Sequence, residues 1–181
     1  MRKALFPILA LVLVLALPTA VLAAKPDQGL KGLQGQAGNS NVAFVELWGK
    51  DSSWEIVEDG AWGKLKYNLE GPTFDFVFNG HGLEIETDYS LIYYADPWPG
   101  NNPGALIASG TSNDEGDIHL AGSTDLGMNL PDSDDANSDG AKIWLVLSGD
   151  YDEITYAMTG WNPAEYLFEY DLVTYSDTDI P

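Results

Sequence analysis

From Val42 onward, apolar residues recur at every second position through much of the chain. That spacing puts successive side chains on opposite faces of an extended strand. The pattern is sharpest in residues 73–94, TFDFVFNGHGLEIETDYSLIYY. Phe74, Phe76 and Phe78 share one face there, with Thr73, Asp75 and Asn79 on the other, as in a half-buried strand. Tyr89, Leu91 and Tyr93 then alternate with Ser90, Ile92 and Tyr94, so both faces of the second strand can be covered. Val42 to Trp48 and the run KIWLVLS (142–148) are almost continuously apolar, as expected of strands buried on both sides, the second one central.

Turn residues divide the rest. Glu58-Asp59-Gly60-Ala61 predicts a hairpin between Trp54–Val57 and Lys64–Leu69, because Asp-Gly readily adopts the positive φ of tight turns. Gly110 to Gly116 predicts a second hairpin, between Ala105–Ser109 and Asp117–Ala121. Residues 95–104 hold three prolines and two glycines and read as a stiff exposed loop. Residues 123–140 form an acidic loop rich in Gly, Asn and Ser. Tyr166 to Tyr175 alternates with its aromatic-and-Leu face inward and is expected to close the sheet. About eight to nine short strands, no long helix and no internal repeat predict an all-β, antiparallel, two-sheet sandwich, with a closed barrel as the alternative.

The corner between the strands of residues 73–94, Leu83-x-x-x-Thr87-x-Tyr89, resembles the tyrosine corner of fibronectin type III and other Greek-key domains. That resemblance implies an Ig/fibronectin-like β-sandwich in which the Tyr hydroxyl bonds back to upstream backbone. Ile85 stands where those domains usually carry Pro, and an ordinary hairpin with a buried Tyr is the other reading. A fold motif of this kind carries no function.

The N-terminus has Arg2 and Lys3, an apolar run from Ala4 to Leu17 and a Val-x-Ala pattern ending at Ala23. This predicts a signal peptide over residues 1–23, with an uncleaved membrane anchor as the alternative. Residues 24–41 read as a flexible linker, 42–175 as the β-sandwich domain and 176–181 as a frayed tail. No later stretch is apolar enough to span a membrane. The expected location is therefore secreted, extracellular or at the cell surface.

Charge narrows the partners. The chain carries 28 acidic and 8 basic residues, for a net charge of −20. Loss of Arg2 and Lys3 with the leader leaves −22 and no arginine at all. Such a surface repels nucleic acid, nucleotides and anionic lipid, and lacks the guanidinium fork best suited to phosphate. With no cysteine, stability rests on the core or on bound ions.

Two features suggest binding chemistry. Asp135, Asn137, Asp139 and the Gly140 that follows fit the D-x-N-x-D-G half of a calcium loop, with Asp132 and Asp134 as nearby carboxylates. Val146 stands where an EF-hand supplies its bidentate Glu and a strand follows, so an EF-hand is excluded. A looser calcium site and a solvated acidic turn both remain. Trp98, between prolines, and Trp161, opening Gly-Trp-Asn-Pro, present rigid flat faces with an N–H handle. They suit stacking on sugar rings, or capping the open end of the fold. Trp48, Trp54, Trp62 and Trp144 are assigned to the core or its rim. His81 and His119, the two histidines, show no catalytic spacing, and no nucleophile elbow or phosphate loop is present. A pair of carboxylates suited to glycoside hydrolysis is compatible with so acidic a chain, but no spacing points to it.

The segments AWGKLKYNLEGPTFDFVFNGHGLE, YSLIYYADPWPG, GAKIWLVLS and GWNPAEYLFEYDL resemble a group of small secreted archaeal proteins, methanogen-type, of unknown function. The resemblance implies an exported single-domain β-protein and transfers no activity. The expectation is a non-catalytic secreted or cell-envelope module with a structural or binding role, with calcium as its candidate ion. Its partner would be a cell-surface polymer, glycan or protein. Carbohydrate binding through the loop tryptophans is the alternative, and an envelope-polymer hydrolase the third reading.

Overall fold

The computed structural model describes residues 40–97 and 104–180. The expected leader and most of the expected linker, with Trp98, lie outside the described residues. Among the described residues twelve strands follow one another: β1 (Val42–Trp48), β2 (Trp62–Asn68), β3 (Glu70–Gly71), β4 (Phe74–His81), β5 (Asp88–Tyr94), β6 (Ala105–Thr111), β7 (Ile118–Thr124), β8 (Lys142–Leu147), β9 (Tyr151–Asp152), β10 (Ala157–Met158), β11 (Leu167–Glu169) and β12 (Ser176–Asp177). Single 3-10 turns occupy Ser148–Asp150 and Pro163–Glu165.

The fold is all-β. Eight strands form one antiparallel sheet in the order β6-β5-β8-β11-β1-β2-β4-β7, nearly closed into a barrel. The expected antiparallel all-β architecture is present, but its main strands hydrogen-bond as one continuous sheet. The seam lies between β6 and β7. These were expected to pair as a hairpin; instead β6 pairs with β5, and β7 with β4. Their connecting turn is tight, with the Asn113 N–H donating to the Asp117 carbonyl at 2.8 Å. Across the seam the Thr124 hydroxyl donates to the Ile107 carbonyl at 2.9 Å. Leu120 packs so close to Gly110 that a Cβ there would sit 2.6 Å from a Leu120 methyl.

The period-2 pattern explains the barrel interior. Phe74, Phe76 and Phe78 on β4 are buried while Asp75, Val77 and Asn79 face out. Leu65 and Tyr67 on β2 and Ala43, Val45 and Leu47 on β1 join them in one core. Gly63 on β2 leaves room for the Phe78 ring, which would lie 2.4 Å from an added Cβ. At the corner, Tyr89 is fully buried and its hydroxyl accepts the Glu84 N–H at 3.3 Å.

A second core lies on the outside of the sheet. Ile92 and Tyr94 on β5, Trp144 and Val146 on β8 and Phe168 on β11 pack with Tyr151, Met158 and Tyr166. These last three come from the segment after β8, which folds over this face. The double burial accounts for the continuous apolar runs in β5 and β8.

Three local expectations differ. Trp54 to Val57 forms no strand: only Ile56 bridges to Lys50, and β2 pairs with β1 and β4. The run from Tyr166 to Tyr175 is a strand only at β11, after which Val173 and Tyr175 make single bridges to Ala141 and Leu130. The tail from Ser176 is docked rather than frayed, because β12 pairs in parallel with β3 and buries Asp177.

Candidate ligand-binding cleft

The outer core is covered on one side only. Where its covering segment stops, an open cleft of about 550 Å³ remains, lined by Lys50, Trp54, Tyr94, Asp96, Lys142, Trp144, Trp161, Phe168 and Glu169. The floor comes from neighbouring strands β5, β8 and β11, which present Tyr94, Trp144 and Phe168 side by side. Tyr94 and Trp144 stack with ring centroids 3.9 Å apart and planes 11° apart, and Phe168 meets Trp144 edge-on at 5.1 Å.

Two indoles form the walls. Trp54 stands in the turn after β1 at φ 62°. The Asp51 carboxylate holds this turn by accepting the N–H groups of Ser53 and Glu55 at 2.8 and 3.0 Å. Trp161 faces Trp54 with centroids 6.2 Å apart and lies 5.9 Å from Trp144. They keep 54% and 41% of their surfaces exposed, far more than a core residue would. Trp54 thus belongs to the cleft wall and not to the core, because the strand expected around it is a turn. Trp48 and Trp144 are buried as expected, although Trp144 also contributes to the floor.

Asp150 fixes the Trp161 wall. Its Oδ2 accepts the Tyr166 hydroxyl at 2.5 Å and the Asn162 side-chain amide at 2.7 Å. Its backbone carbonyl accepts the N–H groups of Thr159 and Gly160. A Cβ at Gly160 would lie 2.1 Å from the Asp150 carboxylate, so only glycine admits this approach. Tyr166 in turn accepts the Asn162 N–H at 3.0 Å, and burial beside Asp150 raises its pKa, keeping the phenol protonated as a donor.

Charges sit at the rim and floor. Lys142 pairs with Asp96 at 2.5 Å and its Nζ lies 5.8 Å over the Tyr94 ring. Lys50 Nζ lies 5.6 Å over Trp54 and 5.7 Å over Phe168. Cation positions over three of the aromatic faces are therefore filled by the protein itself. Burial pushes the Glu169 carboxyl up to about 7, against smaller opposing effects from its own N–H, Lys50, Lys142 and the Trp144 indole. Although that indole lies alongside, neither Trp144 Nε1 nor Glu169 Oε2 completes a hydrogen bond of good geometry, and both atoms are sealed from solvent.

The predicted acidic loop behaves differently. Asp135 is buried and accepts the Tyr93 hydroxyl at 2.6 Å, the Asp96 N–H at 3.1 Å and the Asn137 N–H at 2.8 Å. Burial and this contact raise the Tyr93 pKa, so the phenol remains the donor. Asp132 Oδ1 accepts the Asp134 N–H at 2.8 Å, while Asp134 and Asp139 face solvent. Among the described residues, the group of three carboxylates that converges within 4.8 Å is Asp125, Asp177 and Asp179, not the Asp132–Asp139 loop. By its contacts, Asp135 ties that loop to β5. His81 pairs with Asp117 at 2.8 Å and His119 with Asn79 at 2.7 Å, and neither lines the cleft.

Of the two loop tryptophans singled out in the sequence, Trp161 lies at the cleft. Sequence reasoning missed Trp54, Tyr94, Phe168, Lys50, Lys142, Asp96 and Glu169, which converge from four separate segments. Comparison with known proteins finds no matching family model, no matching curated protein and no matching solved structure.

Proposed function

We propose that this protein is a non-catalytic, exported module of the cell envelope or extracellular space that binds a saccharide in the aromatic cleft. The observation that carries this reading is the pair of half-exposed indoles, Trp54 and Trp161, walling an open cleft with an aromatic floor and a charged rim. Sugar rings have an apolar face that stacks on indole and hydroxyls that meet rim groups such as Asp96 and Lys142. The lysines over the rings disfavour a cationic ligand by charge repulsion. The hydrophobic leader pattern and the acidic, arginine-free remainder support a place outside the cell, and the resemblance to secreted archaeal proteins points to an archaeal surface. The Ig-like reading is supported by the corner at Leu83 to Tyr89, where the Tyr89 hydroxyl accepts the Glu84 N–H as in a tyrosine corner.

The test is a glycan array followed by titration of its hits. Binding should weaken tenfold or more in Trp54→Ala and in Trp161→Ala, while Trp62→Phe, away from the cleft, leaves it unchanged. A blank array, or hits indifferent to both cleft changes, would remove the saccharide reading.

One observation favours a second reading, a polymer hydrolase. Glu169 and Asp96 both line the cleft; burial raises the pKa of the first, as a general acid requires, and the second sits against Lys142, as a second carboxylate would. Against it, Glu169 Oε2 is sealed from solvent. Release of reducing ends from an array hit, abolished in Glu169→Gln, would establish this reading over simple binding.

A further inference from the structure

Away from the cleft, the docked tail brings carboxylates together. The Ser176 N–H donates to the Leu69 carbonyl at 2.9 Å and the Thr178 N–H to the Gly71 carbonyl at 3.0 Å, setting β12 against β3. This brings Asp177 and Asp179 beside Asp125, just past the end of β7, with one oxygen from each within 4.8 Å of the others. Proximity of exposed acids alone means little. Asp177, however, is only 7% exposed, and its Oδ2 is shut off from solvent and accepts no hydrogen bond. A buried carboxylate oxygen without a donor is costly, and two further carboxylates nearby make it more so. Among the described residues no lysine or histidine forms an ion pair with any of the three.

We propose that Asp125, Asp177 and Asp179 bind one calcium ion that staples the C-terminal segment to the barrel. An all-carboxylate oxygen set selects a hard divalent cation over zinc or copper. Calcium fits better than magnesium, because carboxylates from two separate segments, two of them exposed side chains, do not enforce a strict octahedron. Asn129 Oδ1, which accepts the Asp177 N–H at 2.9 Å, is a further oxygen beside the group. Water fills the remaining positions. With so few protein ligands the affinity falls in the roughly 10⁻⁴–10⁻³ M range of extracellular calcium modules. The site shares no residue with the cleft, so its fate is independent of saccharide binding.

The test is thermal melting of the whole chain at pH 7 in 10 mM CaCl₂ and in EDTA. Calcium should raise Tm by about 4 °C, and hydrogen exchange at residues 176–180 should slow. The double change Asp125→Asn/Asp179→Asn alters two exposed side chains, so folding is retained, and it should abolish both effects. Asp134→Asn/Asp139→Asn, in the other acidic loop, should leave both intact. No calcium shift at pH 7, or a shift that survives the Asp125/Asp179 change, would overturn the proposal. Stabilisation on acidification alone, without a calcium response, would overturn it too and point to a proton shared between Asp177 and Asp179.

Discussion

At Glu169, burial outweighs two nearby lysines, so the folded chain holds this proton up to about pH 7 against 4.5 for an exposed glutamate. The sign follows from linkage: between those values the unfolded chain loses the proton and the folded chain keeps it. The contribution is therefore fully present below about pH 4.5 and is lost as pH rises through 7. Glu169→Gln should remove this slope, and at pH 8 the variant should be more stable than wild type by on the order of 1–3 kcal/mol. Denaturant titrations of both proteins at pH 4.5 and 8 check it; parallel pH dependences would show that Glu169 is solvated when ionised. In the barrel, Phe78→Ala should cost about 3–5 kcal/mol, since the ring is fully buried and fills the space left by Gly63. Gly63→Ala should also destabilise, by about 1–3 kcal/mol, because β2 and β4 must separate to admit a methyl group. Chemical denaturation reads both.

The element that matters most for the cleft is the segment from Ser148 to Tyr166, which covers the outer core and ends in the Trp161 wall. Asp150 holds it through Tyr166 and Asn162. Asp150→Asn keeps the size but gives up the charge in these hydrogen bonds, and should cost about 1–2 kcal/mol. Faster amide exchange confined to residues 157–166 would mark the loss; exchange that rises throughout the barrel would mean the network holds the whole fold instead. Much of the framework was legible in the sequence. β1, β2, β4, β5 and β8 follow from their own hydrophobic pattern, because each buries one face or two along its length. The seam between β6 and β7 was not legible, since a tight turn with good turn residues predicts a hairpin and says nothing about whether barrel curvature lets the two strands pair. Nor was β11, where the pattern continues to Tyr175 but the backbone leaves the ladder and the later apolar residues fill the core from a loop. The tail is short and polar and carries no strand signal of its own; tertiary hydrogen bonds to Leu69, Gly71 and Asn129 hold it.

For the whole molecule, what the sequence hid is long-range convergence. Trp161 stood out by its flanking residues, whereas Trp54 lies about a hundred positions earlier and looked like part of a strand. No local spacing links Lys50, Asp96, Lys142 and Glu169, which meet only because β5, β8 and β11 are neighbours in the sheet and the turn after β1 stands over them. That geometry makes a specific demand on a saccharide ligand, which should contact some of the six tryptophans and not others. Proton–nitrogen correlation spectra of the indole groups, recorded during titration with chito-, cello- and galacturono-oligosaccharides, test this most directly. The account predicts that at least one of these probes shifts the Trp54 and Trp161 resonances in a saturable way while those of Trp48 and Trp62 stay fixed. Resonances unmoved by every probe, or movement at Trp48 and Trp62 without Trp54 and Trp161, would contradict it.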